Sequence, residues 1–170
     1  ATREVLLDGW FHTGDLGQLQ EDGFLQITGR KKEMLVLATG KNVAPVPLEG
    51  LLTQDPLILQ AMVVGDGRNF LAALIVPAAD ALRAAIVERK IAVASREEAL
   101  RHPEVLALYV AAIERQLAGV SAHEQVRQFC LLDRGFTVET GELTPTLKLR
   151  REVIQAQFGE AIARMYNAGS

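Results

Sequence analysis

The alternation of apolar and polar positions divides the chain into three stretches. Through residue 30 the pattern is broken by turns every few residues. Glu21-Asp22-Gly23 separates Gln18-Leu19 from the alternating run Phe24-Leu25-Gln26-Ile27-Thr28, which predicts a β-hairpin. Ahead of it, Thr13-Gly14-Asp15-Leu16-Gly17 reads as a tight turn. From residue 34 the apolar runs lengthen. Residues 34–38 read as a short buried strand, and Thr39-Gly40-Lys41-Asn42 as the tip of a second hairpin, with positive φ available at Gly40 or Asn42. Residues 43–47 are extended. Pro47 suits the first position of a helix over residues 48–54. Residues 57–65 and 70–77 are apolar runs on either side of Asp66-Gly67-Arg68-Asn69, the pattern of an antiparallel strand pair.

Beyond residue 78 the period changes to that of helices. Residues 79–90 place Leu82, Ala85 and Ile86 on one face, and Ser95 followed by Glu98 has the spacing of a capping box. Pro103 opens a helix to about residue 117, with Val105, Tyr109, Ala112, Ile113 and Gln116 at helical spacing. A strand returns at residues 125–132 through Val126, Phe129 and Leu131, and residues 136–139 are extended before a turn at Thr140-Gly141-Glu142. The last helix, residues 151–166, is amphipathic, with Ile154, Phe158, Ala161, Ile162 and Met165 on one side. Residues 167–170 are expected to fray. The fold class is α+β.

Composition narrows the function. At 170 residues and 49% hydrophobic, the chain can build an ordinary core. A net charge of -3 gives no reason to expect nucleic acid. The single cysteine, Cys130, rules out an internal disulfide; its place in a strand reads as a small hydrophobe rather than a nucleophile. His12, His102 and His123 are scattered and lack metal-ligand spacing, so no metal site is expected. No apolar run reaches transmembrane length and no secretory leader pattern is visible. A start at Ala1-Thr2-Arg3, leading at once into a strand-like pattern, reads as a piece of a longer protein.

The candidate chemistry centres on Leu143-Thr144-Pro145-Thr146-Leu147-Lys148-Leu149-Arg150-Arg151. Pro145 biases this stretch toward an irregular, extended loop that opens into the last helix. Positive charge is disfavoured at a helix N-terminus, so Lys148, Arg150 and Arg151 together point to a nearby anion. Lys148 is either a solvated lysine or a point charge aimed at a ligand. Asp15 either shapes its own turn or accepts hydrogen bonds from a pair of ligand hydroxyls. Gly29-Arg30-Lys31-Lys32 is either a solvated turn or a joint between structural units.

Thr13-Gly14-Asp15, Gly29-Arg30-Lys31-Lys32-Glu33, Gly40-Lys41-Asn42-Val43-Ala44-Pro45 and Leu143-Thr144-Pro145-Thr146-Leu147-Lys148 occur in this order. The ordered set resembles the C-terminal part of acyl-adenylate-forming enzymes of the long-chain fatty acid–CoA ligase type, over essentially the whole chain. The resemblance implies trailing β-strands of a large N-terminal domain over residues 1–30. A small mobile lid then follows over residues 31–170, with a β-hairpin and a central mixed sheet covered by helices. It implies a carboxylate attacking the α-phosphate of ATP, then coenzyme A displacing AMP, with Mg2+ on the ATP phosphates. By the same resemblance Asp15 and Arg30 bind the nucleotide and Lys32 is the hinge. Gly40 and Lys41 lie in the loop on the coenzyme A side, and Lys148 serves adenylation. The implied partners are the chain's own N-terminal adenylation domain, a fatty acid, ATP and coenzyme A. The implied location is the cytoplasm, with contact at the membrane surface left open. The family's glycine-rich phosphate loop and acyl tunnel are absent from these residues, so the chain alone is expected to be inactive. Relatives that load a carrier protein or stop at acyl-AMP share the same motifs. In a non-enzymatic interaction module, by contrast, Lys148 and Asp15 would be ordinary surface residues.

Overall fold

The computed structural model describes residues 6–7 and 10–167. Two short antiparallel pairs come first: β1 (Leu6–Leu7) with β2 (Trp10–Phe11), and β3 (Asp15–Leu19) with β4 (Leu25–Arg30). The second is the predicted hairpin, with Gln18 opposite Gln26 and Leu19 opposite Leu25. One expectation changes. Asp15 does not sit inside a turn but opens β3. The turn is made by Gly14, whose φ of 76° falls in the left-handed region that glycine enters without penalty.

A 3₁₀ turn over Lys31–Glu33 leads to β5 (Leu35–Val36) and β6 (Asn42–Val43), the second predicted hairpin, shorter than the apolar run suggested. Helix α1 (Pro45–Leu52) starts earlier than expected. Pro45, rather than Pro47, takes its first position, and Pro47 falls third, where a backbone N–H has no intrahelical acceptor to lose.

The core is built on β7 (Ile58–Val64), β8 (Leu71–Pro77) and β9 (Val126–Leu131), in the order β7-β8-β9. The central strand runs antiparallel to β7 and parallel to β9, so the sheet is mixed as predicted. Every residue of β8 is buried. A strand buried on both faces reads as a continuous apolar run instead of an alternation, as residues 71–77 do. Leu71, Ala73 and Ile75 point to one cluster. Helix α1, α2 (Ala79–Glu88), α3 (Arg96–Ala99) with the following Leu100, and α4 (Pro103–Gln116) cover it through Leu48, Leu82, Val105 and Tyr109. Ala72, Leu74 and Val76 point to the other cluster, closed by Phe136, Leu143, Ile154, Met165 and Tyr166.

The capping spacing at α3 is realised with a shift. Ser95 Oγ accepts from the Glu98 amide at 3.1 Å, and the Glu98 carboxylate accepts from the Ala94 amide at 2.6 Å, one residue before the cap. The single predicted final helix is two: α5 (Arg151–Gln157) and α6 (Gly159–Asn167). The break falls at Phe158, just before Gly159, a residue that weakens a helix interior. There the Phe158 ring meets Phe136 edge-on at 5.9 Å and the Arg134 guanidinium at 5.1 Å. Residues 138–141 turn instead of extending, closed by the Gly141 amide on the Val138 carbonyl at 3.0 Å. Among the described residues no helix is long and apolar enough to cross a membrane.

Leu74 is fully buried on the central strand. Leu74→Ala is expected to lower unfolding stability by about 2–5 kcal/mol, read from urea melts followed by far-UV circular dichroism. A loss well under 1 kcal/mol would mean that the second cluster closes around the cavity.

Candidate functional site

Three of the sequence-predicted positions fall at or beside the first hairpin. Asp15 and Arg30 are cross-strand partners, and Arg30 Nε lies 2.9 Å from Asp15 Oδ1. The Thr13 hydroxyl accepts the Asp15 amide at 3.1 Å, and the Lys31 amide closes the junction on the Gly14 carbonyl at 2.8 Å. Asp15 keeps its second carboxylate oxygen free of hydrogen bonds within the described chain. Lys32 lies in the 3₁₀ turn, which buries none of its residues.

Gly40 stands at the tip of the β5–β6 hairpin with φ 77° and open space where a side chain would be. The turn is closed by the Gly40 amide on the Leu37 carbonyl (2.8 Å) and the Leu37 amide on the Lys41 carbonyl (2.9 Å). The hairpin is docked on the β7–β8 turn. The Val36 amide donates to Asp66 Oδ1 at 2.9 Å, the Gly67 amide to the Val36 carbonyl at 2.8 Å, and the Ala38 amide to the Arg68 carbonyl at 2.8 Å. Gly40 and Lys41 are therefore presented by a supported loop, with Lys41 exposed.

The lysine segment is not the open, extended loop that its proline suggested. It is a short ladder. The Arg150 amide donates to the Glu142 carbonyl at 2.8 Å, Leu143 bridges Leu149, and the Thr144 amide donates to the Lys148 carbonyl at 2.9 Å. The Thr144 hydroxyl accepts the Lys148 amide at 3.0 Å. The tip closes through the Leu147 amide on the Thr144 carbonyl (2.8 Å), with Leu147 at φ 61°. A non-glycine residue in this region carries a cost of about 1–2 kcal/mol, borne here by the residue just before Lys148. The Lys148 side chain is exposed and pairs with no carboxylate among the described residues.

Its two basic neighbours are used internally. Arg150 donates to the Gly141 carbonyl at 3.1 Å. Arg151 donates to Glu49 Oε2 at 2.6 Å and to the Val63 carbonyl at 3.3 Å, while Glu49 Oε1 accepts the Val63 amide at 2.8 Å. The anion anticipated from the basic cluster is thus, for Arg151, the chain's own Glu49. That pair also satisfies both backbone groups of Val63 on edge strand β7, which would otherwise be open to pairing. Glu49 sits on α1, directly after the Gly40 hairpin, so one ion pair joins the supports of the two loops.

Sequence reasoning also missed Glu142. It is fully buried and takes a two-pronged grip from Arg134, Nη1 to Oε2 at 2.8 Å and Nη2 to Oε1 at 2.7 Å. The Thr140 hydroxyl adds a third bond at 2.6 Å. The Arg134 hydrogen bonds hold the Glu142 carboxyl below the usual carboxylate range, against burial that pushes it up. The only local signal was an acid enclosed by turn residues before an apolar position. Burial pushes the Cys130 thiol up, in keeping with its reading as a small hydrophobe. Burial likewise raises the Tyr166 hydroxyl to about 12; it donates to the Val64 carbonyl at 3.1 Å.

A groove of about 790 Å³ runs along β9 and α6 and includes Cys130; none of the predicted site residues lines it. Among the described residues no group of three or more histidine, cysteine or acidic side chains could hold a metal ion.

Residues 32–170 match the family model of the AMP-binding enzyme C-terminal domain. A long-chain-fatty-acid–CoA ligase of Mycobacterium tuberculosis is 47% identical over 168 residues, 98% of this chain and 28% of that protein. A second, from Gallus gallus, is 35% identical over 186 residues, 97% of this chain and 24% of that protein. The crystal structure of the adenylation domain of a carboxylate reductase from Mycobacterium chelonae is similar with a TM-score of 0.80 at 29% identity, covering 98% of this chain and 24% of that one. The chain spans about a quarter of the length of these relatives.

The lowered Glu142 carboxyl makes stability depend on pH in a definite direction. Its stabilising contribution is complete above the unfolded-state value, about 4.3, and is lost as the pH falls through the lower folded value. Glu142→Gln is expected to melt at lower urea concentration than the parent near pH 7, and the gap should close as the pH drops below about 4. A gap independent of pH would show that the charge of Glu142 contributes nothing.

Proposed function

Because this chain belongs to the family of AMP-binding enzyme C-terminal domains, we propose that it is the lid of an ATP-dependent long-chain fatty acid–CoA ligase. The observation that carries the reading is the lysine loop. Of three basic residues on it, Arg151 is ion-paired with Glu49 and Arg150 is tied to the Gly141 carbonyl, while the Lys148 side chain stands exposed on a preformed turn with no carboxylate partner among the described residues. The identity to a long-chain-fatty-acid–CoA ligase supports the substrate class.

In the first step a carboxylate oxygen of the fatty acid attacks the α-phosphorus of ATP and the bond to pyrophosphate breaks. Negative charge gathers where two anions meet. A cation held there stabilises the transition state more than the separated reactants, and Lys148 is that cation. Asp15 accepts hydrogen bonds from the ribose hydroxyls with its free oxygen, and Arg30 both fixes that carboxylate and faces the nucleotide. Mg2+ carried by the ATP phosphates would offset their charge. In the second step the sulfur of coenzyme A attacks the acyl carbonyl carbon and AMP leaves. The Gly40–Lys41 tip, which has no side chain at Gly40, lets the narrow thiol arm pass.

The two steps need different surfaces, so the lid turns between them about Lys32. Support for a joint there comes from burial. The most N-terminal core residue among those described is Leu35, whereas Trp10, Phe24 and Leu25 in the preceding segment are exposed. We assign residues 1–30 to the trailing strands of the N-terminal adenylation domain and 31–170 to the lid, and the enzyme to the cytoplasm. A second reading has its own support in the carboxylate reductase likeness: an adenylating enzyme that passes its acyl group to a carrier protein or stops at acyl-AMP. Supplying free coenzyme A against a carrier protein separates the two.

In the full-length enzyme, Lys148→Ala is expected to slow adenylate formation by about a hundred- to a thousandfold. Thioester formation from supplied acyl-adenylate should persist. Equal loss of both steps would assign Lys148 a structural role. The 170-residue chain alone is expected to release no pyrophosphate from ATP and fatty acid; turnover by it would sink the lid reading.

A further inference from the structure

Lys148 is held through a chain of contacts whose foot is a buried ion pair. The ladder has three rungs: Glu142 with Arg150, Leu143 with Leu149, and Thr144 with Lys148. Only the third rung touches the lysine. The first is fixed from below, because the Glu142 carboxylate is fully buried and gripped at both oxygens by Arg134. Arg134 is itself oriented by Gln157 Oε1 at 3.3 Å and by the Phe158 ring, so the grip ties the ladder to the α5–α6 junction. The Glu142 and Leu143 amides both donate to the Thr137 carbonyl, at 3.1 and 3.0 Å, which fixes the direction in which the ladder leaves the core.

We propose that Glu142 is a positioning residue for Lys148, acting with Arg134 to aim the lysine during adenylation; this rests on the adenylating role of Lys148 given above. The physical reason is the sensitivity of catalysis to placement. A misplacement of about 1 Å costs on the order of a hundredfold in rate, and a long, flexible lysine stem has no rigidity of its own. Its backbone must supply that rigidity. A carboxylate buried without solvent and held by a planar fork has few alternative positions, so it sets the register of the ladder above it. The Gly40 hairpin stands on the β7–β8 turn and does not use this grip. Thioester formation should therefore be insensitive to it.

The test is a double-mutant cycle in the full-length enzyme, with adenylate formation and thioester formation measured separately. Glu142→Gln keeps the shape and removes the charge. It is expected to slow adenylate formation by about tenfold to a hundredfold and to leave thioester formation within about twofold. In a Lys148→Ala background it should have almost no further effect on adenylation, because residues acting through one another do not add. The same fold-loss in both backgrounds, or parallel loss of both half-reactions, would overturn the proposal. So would an unchanged Glu142→Gln enzyme beside a collapsed Lys148→Ala enzyme, and that result would leave the role of Lys148 standing. An active Lys148→Ala enzyme would instead remove the functional reading and the positioning role with it. If Glu142→Gln does not accumulate as folded protein, Arg134→Lys, at a half-exposed side chain, carries the same cycle with the fork removed and the charge kept.

Discussion

The fold depends on one constraint: the central strand β8 has no face toward water. Leu71, Ala73 and Ile75 on one side, and Ala72, Leu74 and Val76 on the other, both require cover. The chain meets this by passing over the sheet twice. Helices α1, α2 and α4 close one face. The segment after β9, with α5 and α6, closes the other. The lysine ladder lies in that second passage, and Leu143 at its middle rung is buried in the second cluster. The loop that presents Lys148 is thus built on the cover of the core.

Among the described residues, burying both faces brings three acids inside: Glu49, Asp55 and Glu142, each with an arginine partner. A buried ion pair is weak as a source of net stability, because desolvation offsets the attraction, but removing one partner strands a charge. Such pairs act mainly on where segments can lie. Glu49 and Arg151 lock the start of α5 onto α1 and the β7 edge through Val63. Glu142 and Arg134 lock the foot of the lysine ladder onto the segment after β9. Asp55 is pushed up by burial and pulled down further by the Leu57 amide and Arg115, leaving it below the usual carboxylate range. It holds the turn that enters β7.

The same arrangement sets three candidate segments apart on one small body. The Asp15–Arg30 pair and the 3₁₀ turn precede the core. The Gly40 hairpin rests on the β7–β8 turn. The Lys148 loop rises from the opposite cover. The Glu49–Arg151 pair ties the supports of the last two together.

Much of this was legible along the chain. The hairpins at residues 18–28 and 57–77, the cap at Ser95, the helix from Pro103 and the mixed α+β character follow from alternation, turn residues and helical period, which act within a few residues. The positions of Asp15, Arg30, Lys32, Gly40, Lys41 and Lys148 were legible as ordered motifs, and the pairing of Asp15 with Arg30 is a product of hairpin register. Other features were not legible. The proline before Lys148 predicted an extended loop, yet the Leu143–Leu149 bridge closes it. The basic cluster called for an anion but did not say which. The partner of Arg151 is Glu49, 102 residues away, and the grip of Arg134 on Glu142 forms only where the chain doubles back over the sheet. Local pattern sets secondary structure because the forces behind it are short in range; the tertiary structure alone decided that Arg151 and Arg134 are paired with acids inside while Lys148 is left without a carboxylate partner among the described residues, because that depends on which distant segments the buried sheet draws together.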